Sequence, residues 1–119
     1  MGVNDALQRL REEYGLEMAA IVGTDGLLVD SAHDPSLDAE SIAANAVSGL
    51  LMMEALAREL RAASARQAIV EFDEHLVLVT PIGQDTALVV VAIGSSNLGR
   101  LRLAVRRARS TLEREAAAI

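Results

Sequence analysis

The sequence contains no cysteine, no tryptophan and no lysine, and its only aromatic residues are Tyr14 and Phe72. Without cysteine there can be no disulfide, thiolate metal site or cysteine nucleophile. All 11 basic residues are therefore arginine, which removes Schiff-base chemistry and the phosphate-binding lysine of a P-loop. With so few rings, the core must be built from Ala, Val, Leu, Ile and Met, and base-stacking recognition of single-stranded nucleic acid has little support. No apolar run approaches the ~18 residues of a membrane span. Residues 1–10 include Asn4, Asp5, Gln8 and Arg9, leaving no room for the apolar stretch of a signal peptide. The expected location is the cytoplasm.

What is present suits one globular domain over residues 1–119. The hydrophobic fraction is 51% and the mean hydropathy is +0.27, values that exclude a disordered chain. The net charge is −6, which disfavours nucleic acid and anionic membranes as general partners. That charge is uneven. Residues 98–119 hold six Arg and two Glu (+4), and the remainder holds five Arg and fifteen acids (−10).

Residues 4–14 read as a helix capped by Asn4, with Leu7, Leu10 and Tyr14 on one face and Gly15 as its stop. Residues 18–22 and 27–29 are apolar runs joined by Thr24-Asp25-Gly26, a hairpin signal. Residues 32–37 read as a loop. A long helix is predicted over 38–64, capped by Ser36 or Asp38 and with Glu40 in its first turn. Strands are predicted over 67–72, 75–82 and 86–93, separated by the turns Asp73-Glu74 and Gly83-Gln84-Asp85. Gly94–Asn97 forms a loop with a cap, and residues 98–117 form a last helix with Leu98, Leu101, Val105, Ala108 and Leu112 on one face. The order α-β-β-α-β-β-β-α, with tight turns between successive strands, predicts an α+β domain with a five-stranded, mainly antiparallel sheet. The long helix would cover one face and the two terminal helices the other.

The middle helix is the informative element. Ile42, Ala46, Gly49, Met53, Leu56 and Leu60 form one apolar stripe, and Ala43, Val47, Leu50, Leu51, Ala55 and Ala57 widen it around most of the circumference. A helix lying on one sheet needs an apolar arc only a little over 100° wide. Over residues 41–64 it would span ~36 Å, against ~26 Å for an eight-residue strand. The excess apolar surface calls for a second body, and the small residues Ala43, Ala46, Ser48 and Gly49 would let a two-fold-related copy of the same helix approach. A narrower stripe of Asn45, Ser48, Met52, Ala55 and Glu59 is either an ordinary solvated face or a contact for another partner. Met52 and Ala55 weigh toward the partner.

No catalytic set is evident. Gly94 to Leu101 has P-loop glycine spacing but places Arg100 and Leu101 where Lys and Ser/Thr are required, so it reads as a helix-capping loop. A phosphate-handling enzyme built on this loop is the weaker alternative. His33 and His75 are isolated, and Glu71, Asp73 and Glu74 solvate a turn. Arg102, Arg106 and Arg109 line one face of the last helix, with Arg100 and Arg107 elsewhere on it. This is either an anionic-partner surface or a solvated face paired to Glu12 and Glu13, and the second reading is preferred.

The segments EMAAIVGTDGLLVDS (17–31), the small-residue helix 43–51, VEFDEHLVL (70–78) and NLGRLRLAVRRA (97–108) occur in an order that resembles the Roadblock family. This is the dynein light-chain type that includes bacterial MglB. The resemblance implies a homodimer in which the middle helices pack across a two-fold axis and the third strands pair into one continuous sheet. Carried onto this sequence, the dimer contacts would be Ala46, Gly49, Leu50 and Met53, with Ile69, Val70, Glu71 and Phe72 at the paired edge. It further implies a non-catalytic regulator of a small Ras-like GTPase, needing no cofactor or metal of its own, with Asn45, Ser48, Met52 and Ala55 as partner contacts. The alternative within the same family is a scaffold or assembly subunit of a signalling operon, without effect on GTP hydrolysis.

Overall fold

A computed structural model describes residues 2–117. The elements are α1 (Val3–Tyr14), β1 (Met18–Gly23), β2 (Leu28–His33), α2 (Ala39–Glu59), β3 (Ala68–Glu71), β4 (His75–Ile82), β5 (Thr86–Ile93) and α3 (Leu98–Ala117). The strands form one sheet in the order β2-β1-β5-β4-β3, and every neighbouring pair is antiparallel. β2 and β3 are the edges.

Burial explains the composition of the strands. β1 and β5 are covered on both faces, so they read as near-continuous apolar runs, MAAIVG and TALVVVAI. Met18, Ala20, Val22, Val79, Val89 and Val91 face α2 and pack on Ala39, Ala43, Val47 and Leu50. The alternate residues, among them Ala19, Ile21, Leu78, Leu88 and Val90, face α1 and α3 and meet Leu7, Leu10, Leu101, Val105 and Leu112. The result is three layers, with α2 alone on one side.

The ends of the elements differ in places from the sequence expectation. α1 begins at Val3, and Asn4 lies inside it, where its Nδ2 donates to Asp30 Oδ1 at 2.9 Å. β2 continues to His33, through residues expected to leave the sheet. α1 packs along this edge and gives Asp30 a partner. β3 is shorter than 67–72, although the Phe72 N–H still donates to the His75 carbonyl at 2.8 Å. α2 stops at Glu59, not at residue 64. Arg61 adopts a left-handed φ of 55°, the Ala62 N–H returns to the Ala57 carbonyl at 2.8 Å, and Glu54 Oε1 accepts the Ala65 N–H at 3.1 Å. These bonds turn the chain off the helix and toward β3. Asp38 caps α2 by accepting the Ser41 N–H, and Asn97 caps α3 by accepting the Arg100 N–H. At 1.5 Å per residue α2 is about 31 Å long, still longer than the strands beneath it.

Candidate functional site

At about 100° per residue, α2 presents three faces. Ala39, Ala43, Val47, Leu50 and Ala57 point into the sheet and are buried. Ile42, Ala46, Gly49, Met53, Leu56 and Leu60 look sideways toward β3. Ser48, Met52 and Ala55 point outward and are exposed, and Asn45, also exposed, stands at the rim of the groove described next.

The sideways face meets β3 only near Ala68 and diverges from the rest of the strand. Between them lies an open groove of about 950 Å³, walled by the six sideways residues of α2 on one side and by Val70 and Phe72 on the other. Its lining is apolar and stays wet: Leu56 is 48% exposed, Leu60 69% and Phe72 58%. An exposed apolar surface of this continuity is a candidate binding face. The outer edge of β3 borders the groove, and its backbone groups on that side have no strand partner in the sheet order, which leaves them free to pair with another strand.

Of the expected dimer contacts, Ala46, Gly49, Met53, Val70 and Phe72 front this groove. Leu50 lines its floor but is only 3% exposed and packs in the core between α2 and the sheet, about 80° around the helix from Ile42. Ile69 packs against the core on the α1/α3 side, and Glu71 is exposed. Both lie on β3, so their backbone can still serve the edge. A Cβ built on Gly49 meets nothing within 4 Å, so the space above it is open. Ile42, Leu56 and Leu60 belong to the groove as fully as Met53. Their shared 3–4 spacing with Met53 was the available signal.

On the outward face, Asn45 Nδ2 donates to the Ser41 carbonyl at 2.9 Å, and Ser48 Oγ donates to the Ala44 carbonyl at 3.1 Å. Each side chain turns one donor back onto the helix itself, while the Asn45 amide keeps a second N–H and its Oδ1. What projects is mainly Met52, 68% exposed, and beside it Leu51, 47% exposed. Leu51 was absent from the expected partner contacts.

The titratable groups form local pairs. His75 Nδ1 lies 2.7 Å from Glu17 Oε2, at one end of the groove. His33 Nδ1 lies 2.9 Å from Ser31 Oγ on β2. The Ser36 backbone N–H, and then its hydroxyl, hold the Asp34 carboxyl below its ordinary pKa. Among the described residues no group of three or more His, Asp or Glu side chains is placed to hold a metal ion, and no helix is long and apolar enough to cross a membrane. The anticipated pairing of the last helix with Glu12 and Glu13 does not form. Among the described residues the ion pair of α3 is Arg109–Glu113, at 3.7 Å.

A five-stranded antiparallel sheet, with one long helix on one face and two on the other and an apolar groove beside the edge strand, defines the class as an α+β sandwich with a half-covered face. The chain belongs to the Roadblock/LC7 domain family, whose model matches residues 2–92. Two Methanocaldococcus jannaschii proteins described as uncharacterized, MJ0310 and MJ1340, are each 29% identical over 106 residues, covering 89% of this chain and 92% of each relative. Among solved structures, Myxococcus xanthus MglB superposes with a TM-score of 0.89 at 22% identity, covering 98% of this chain and 96% of that one. A Roadblock/LC7 domain from Streptomyces avermitilis gives 0.88 at 20% identity, covering 98% and 99%. A structure described as MglB with tetrameric arrangement gives 0.88 at 21% identity, covering 98% and 88%.

Proposed function

We propose that two copies of this chain pair across the groove, α2 against α2 and β3 beside β3, and that the dimer is a non-catalytic regulator of a small Ras-like GTPase in the cytoplasm. The carrying observation is the groove itself. Ile42, Gly49, Met53, Leu56, Leu60, Val70 and Phe72 form an apolar surface continuous with an open strand edge, and a two-fold axis lets one such surface cover another. The shared fold with MglB and the kinship with Roadblock/LC7 domains support this reading. The outward stripe of each α2, carrying Met52 and Leu51 with Asn45, Ser48 and Ala55, is then the surface offered to the GTPase. No cofactor is required for such a role, which is to position the partner's own switch segments.

Asn45 and Ser48 favour a second reading, a scaffold subunit that recruits without altering hydrolysis. Each turns a donor back onto the helix, which leaves the stripe weighted toward apolar adhesion through Met52 and Leu51. One experiment separates the two. The purified chain is mixed with each small GTPase of the same genome, and GTP turnover and elution volume are measured. A regulator raises turnover and co-elutes, and Met52→Glu abolishes both effects by placing a charge in the centre of the contact. Co-elution with unchanged turnover selects the scaffold. No interaction with any GTPase sinks the GTPase reading.

A further inference from the structure

The side of α3 turned away from the sheet carries a cluster of positive charge. Arg100, Arg102, Arg106, Arg107, Arg109 and Arg114 are all exposed, above a buried row of Leu101, Ala104, Val105 and Leu112. At about 100° per residue the arginines fall into two rows, one of 102, 106 and 109 and one of 100, 107 and 114. Leu103, 42% exposed, lies between them. A merely solvated helix face intersperses acids three or four residues from its bases. Here the opposing acid is Glu113, against Arg109 alone. Arg100 lies over the Tyr14 ring, 4.6 Å from its centre, a contact that holds its guanidinium in place. Arg102, Arg106 and Arg107 enter no ion pair among the described residues.

We infer that this face docks a short acidic segment of a partner protein, laid along the arginine rows with an apolar side chain over Leu103. Residues 100 to 114 span about 21 Å of helix, the reach of roughly six or seven residues of extended chain. Guanidinium forks grip carboxylates through paired N–H bonds, which suits a run of Asp and Glu. The charge on the rest of the chain chooses among anionic partners. Residues outside 98–119 sum to −10, and a membrane or a long nucleic acid meets that charge as it approaches. A short segment within a Debye length of about 8–10 Å meets mainly the arginines. This face lies across the sheet from the groove. It therefore stands independently of the function proposed above and stays open in a dimer made through α2 and β3.

The test is fluorescence anisotropy of a labelled octaglutamate peptide titrated with the full chain, at about 50 mM and about 300 mM salt. The expected result is saturable binding that weakens about tenfold or more at the higher salt. The triple variant Arg102→Gln/Arg106→Gln/Arg107→Gln weakens low-salt binding about tenfold or more, while Arg58→Gln/Arg61→Gln/Arg66→Gln, an equal charge change elsewhere, shifts it less than about threefold. The Arg→Lys triple at 102, 106 and 107 retains part of the binding and serves as the test if the Gln triple fails to fold. Equal losses in the two Gln triples would overturn the inference, as would no saturable binding at low salt. Tighter binding to phosphatidylglycerol vesicles or to a single-stranded oligonucleotide than to the peptide would overturn it too. So would self-association, seen by light scattering, that only the α3 triple abolishes, since a second copy would then be the occupant.

Discussion

Gly94 joins β5 to the α3 cap where a side chain would crowd backbone. Its N–H donates to the Glu74 carbonyl at 2.9 Å, and a Cβ there would stand 3.0 Å from the Asp73 carbonyl oxygen and 3.1 Å from the Glu74 carbonyl carbon. Both neighbours are backbone and cannot swing aside. Gly94→Ala is expected to lower the unfolding free energy by about 1–2 kcal/mol, read as a lower urea midpoint at unchanged slope. Asp34 carries a pH-dependent contribution. Hydrogen bonds from Ser36 lower its pKa in the folded state, so its stabilisation is complete above the unfolded value and is lost as pH falls through the folded one. The midpoint difference between wild type and Asp34→Asn should be present near pH 7, begin to shrink as pH approaches the ordinary carboxylate value of about 3.9, and vanish only below the lowered folded pKa. A difference that persists in acid would assign it to something other than this carboxylate. At this scale the caps were legible in part. Asp38 and Asn97 act where short polar side chains precede apolar runs, whereas Asn4 has the same signature and instead reaches across to β2. Sequence carries no mark of a partner 26 residues away.

Helix α2 was legible as an element and illegible in its orientation. Its apolar residues run around most of the circumference, so periodicity alone could not say which arc meets the sheet. That is why Leu50 reads equally well as a dimer contact and as a core residue; it packs against the sheet and also lines the groove floor. The two arcs should now separate experimentally. Leu50→Ala removes a buried side chain and is expected to destabilise the fold by about 2–4 kcal/mol. Met53→Ala, 40% exposed in the groove, should change folding of the isolated chain by less than about 1 kcal/mol while weakening self-association. Denaturant melts at low protein concentration, set beside light scattering, distinguish the two effects. Comparable losses of folding in both variants would show that Met53 is held by its own chain. The early end of α2 had no local signal, since the left-handed position that stops it is filled by Arg61 and not by glycine. β2 outran its expected end because a docked helix, not strand propensity, sustains its polar half.

At the scale of the whole molecule, the element order, the antiparallel sheet and the helix layers followed from turns and periodicity, because those signals are local. The groove could not be seen in advance as a shape. It arises where a helix ends early and a four-residue edge strand stops short of covering it. Gly49→Arg tests what fills it. The open space above Gly49 lets one protomer accept the longer side chain, so the variant should remain folded by circular dichroism. In a paired assembly the same side chain meets the opposing helix and buries a charge, typically several kcal/mol of penalty. The expected reading is a scattering mass of one 12.6 kDa chain for Gly49→Arg, against twice that for wild type. A Gly49→Arg protein that is still dimeric would move the interface elsewhere.

The groove also bears on how such a protein is kept in a cell. A protomer at a concentration too low to pair displays Leu56, Leu60 and Phe72 to water, the kind of greasy surface that quality-control machinery reads as an unfinished fold. Its lifetime would then be set by how quickly it finds its match. Steady abundance would rise more steeply than synthesis rate.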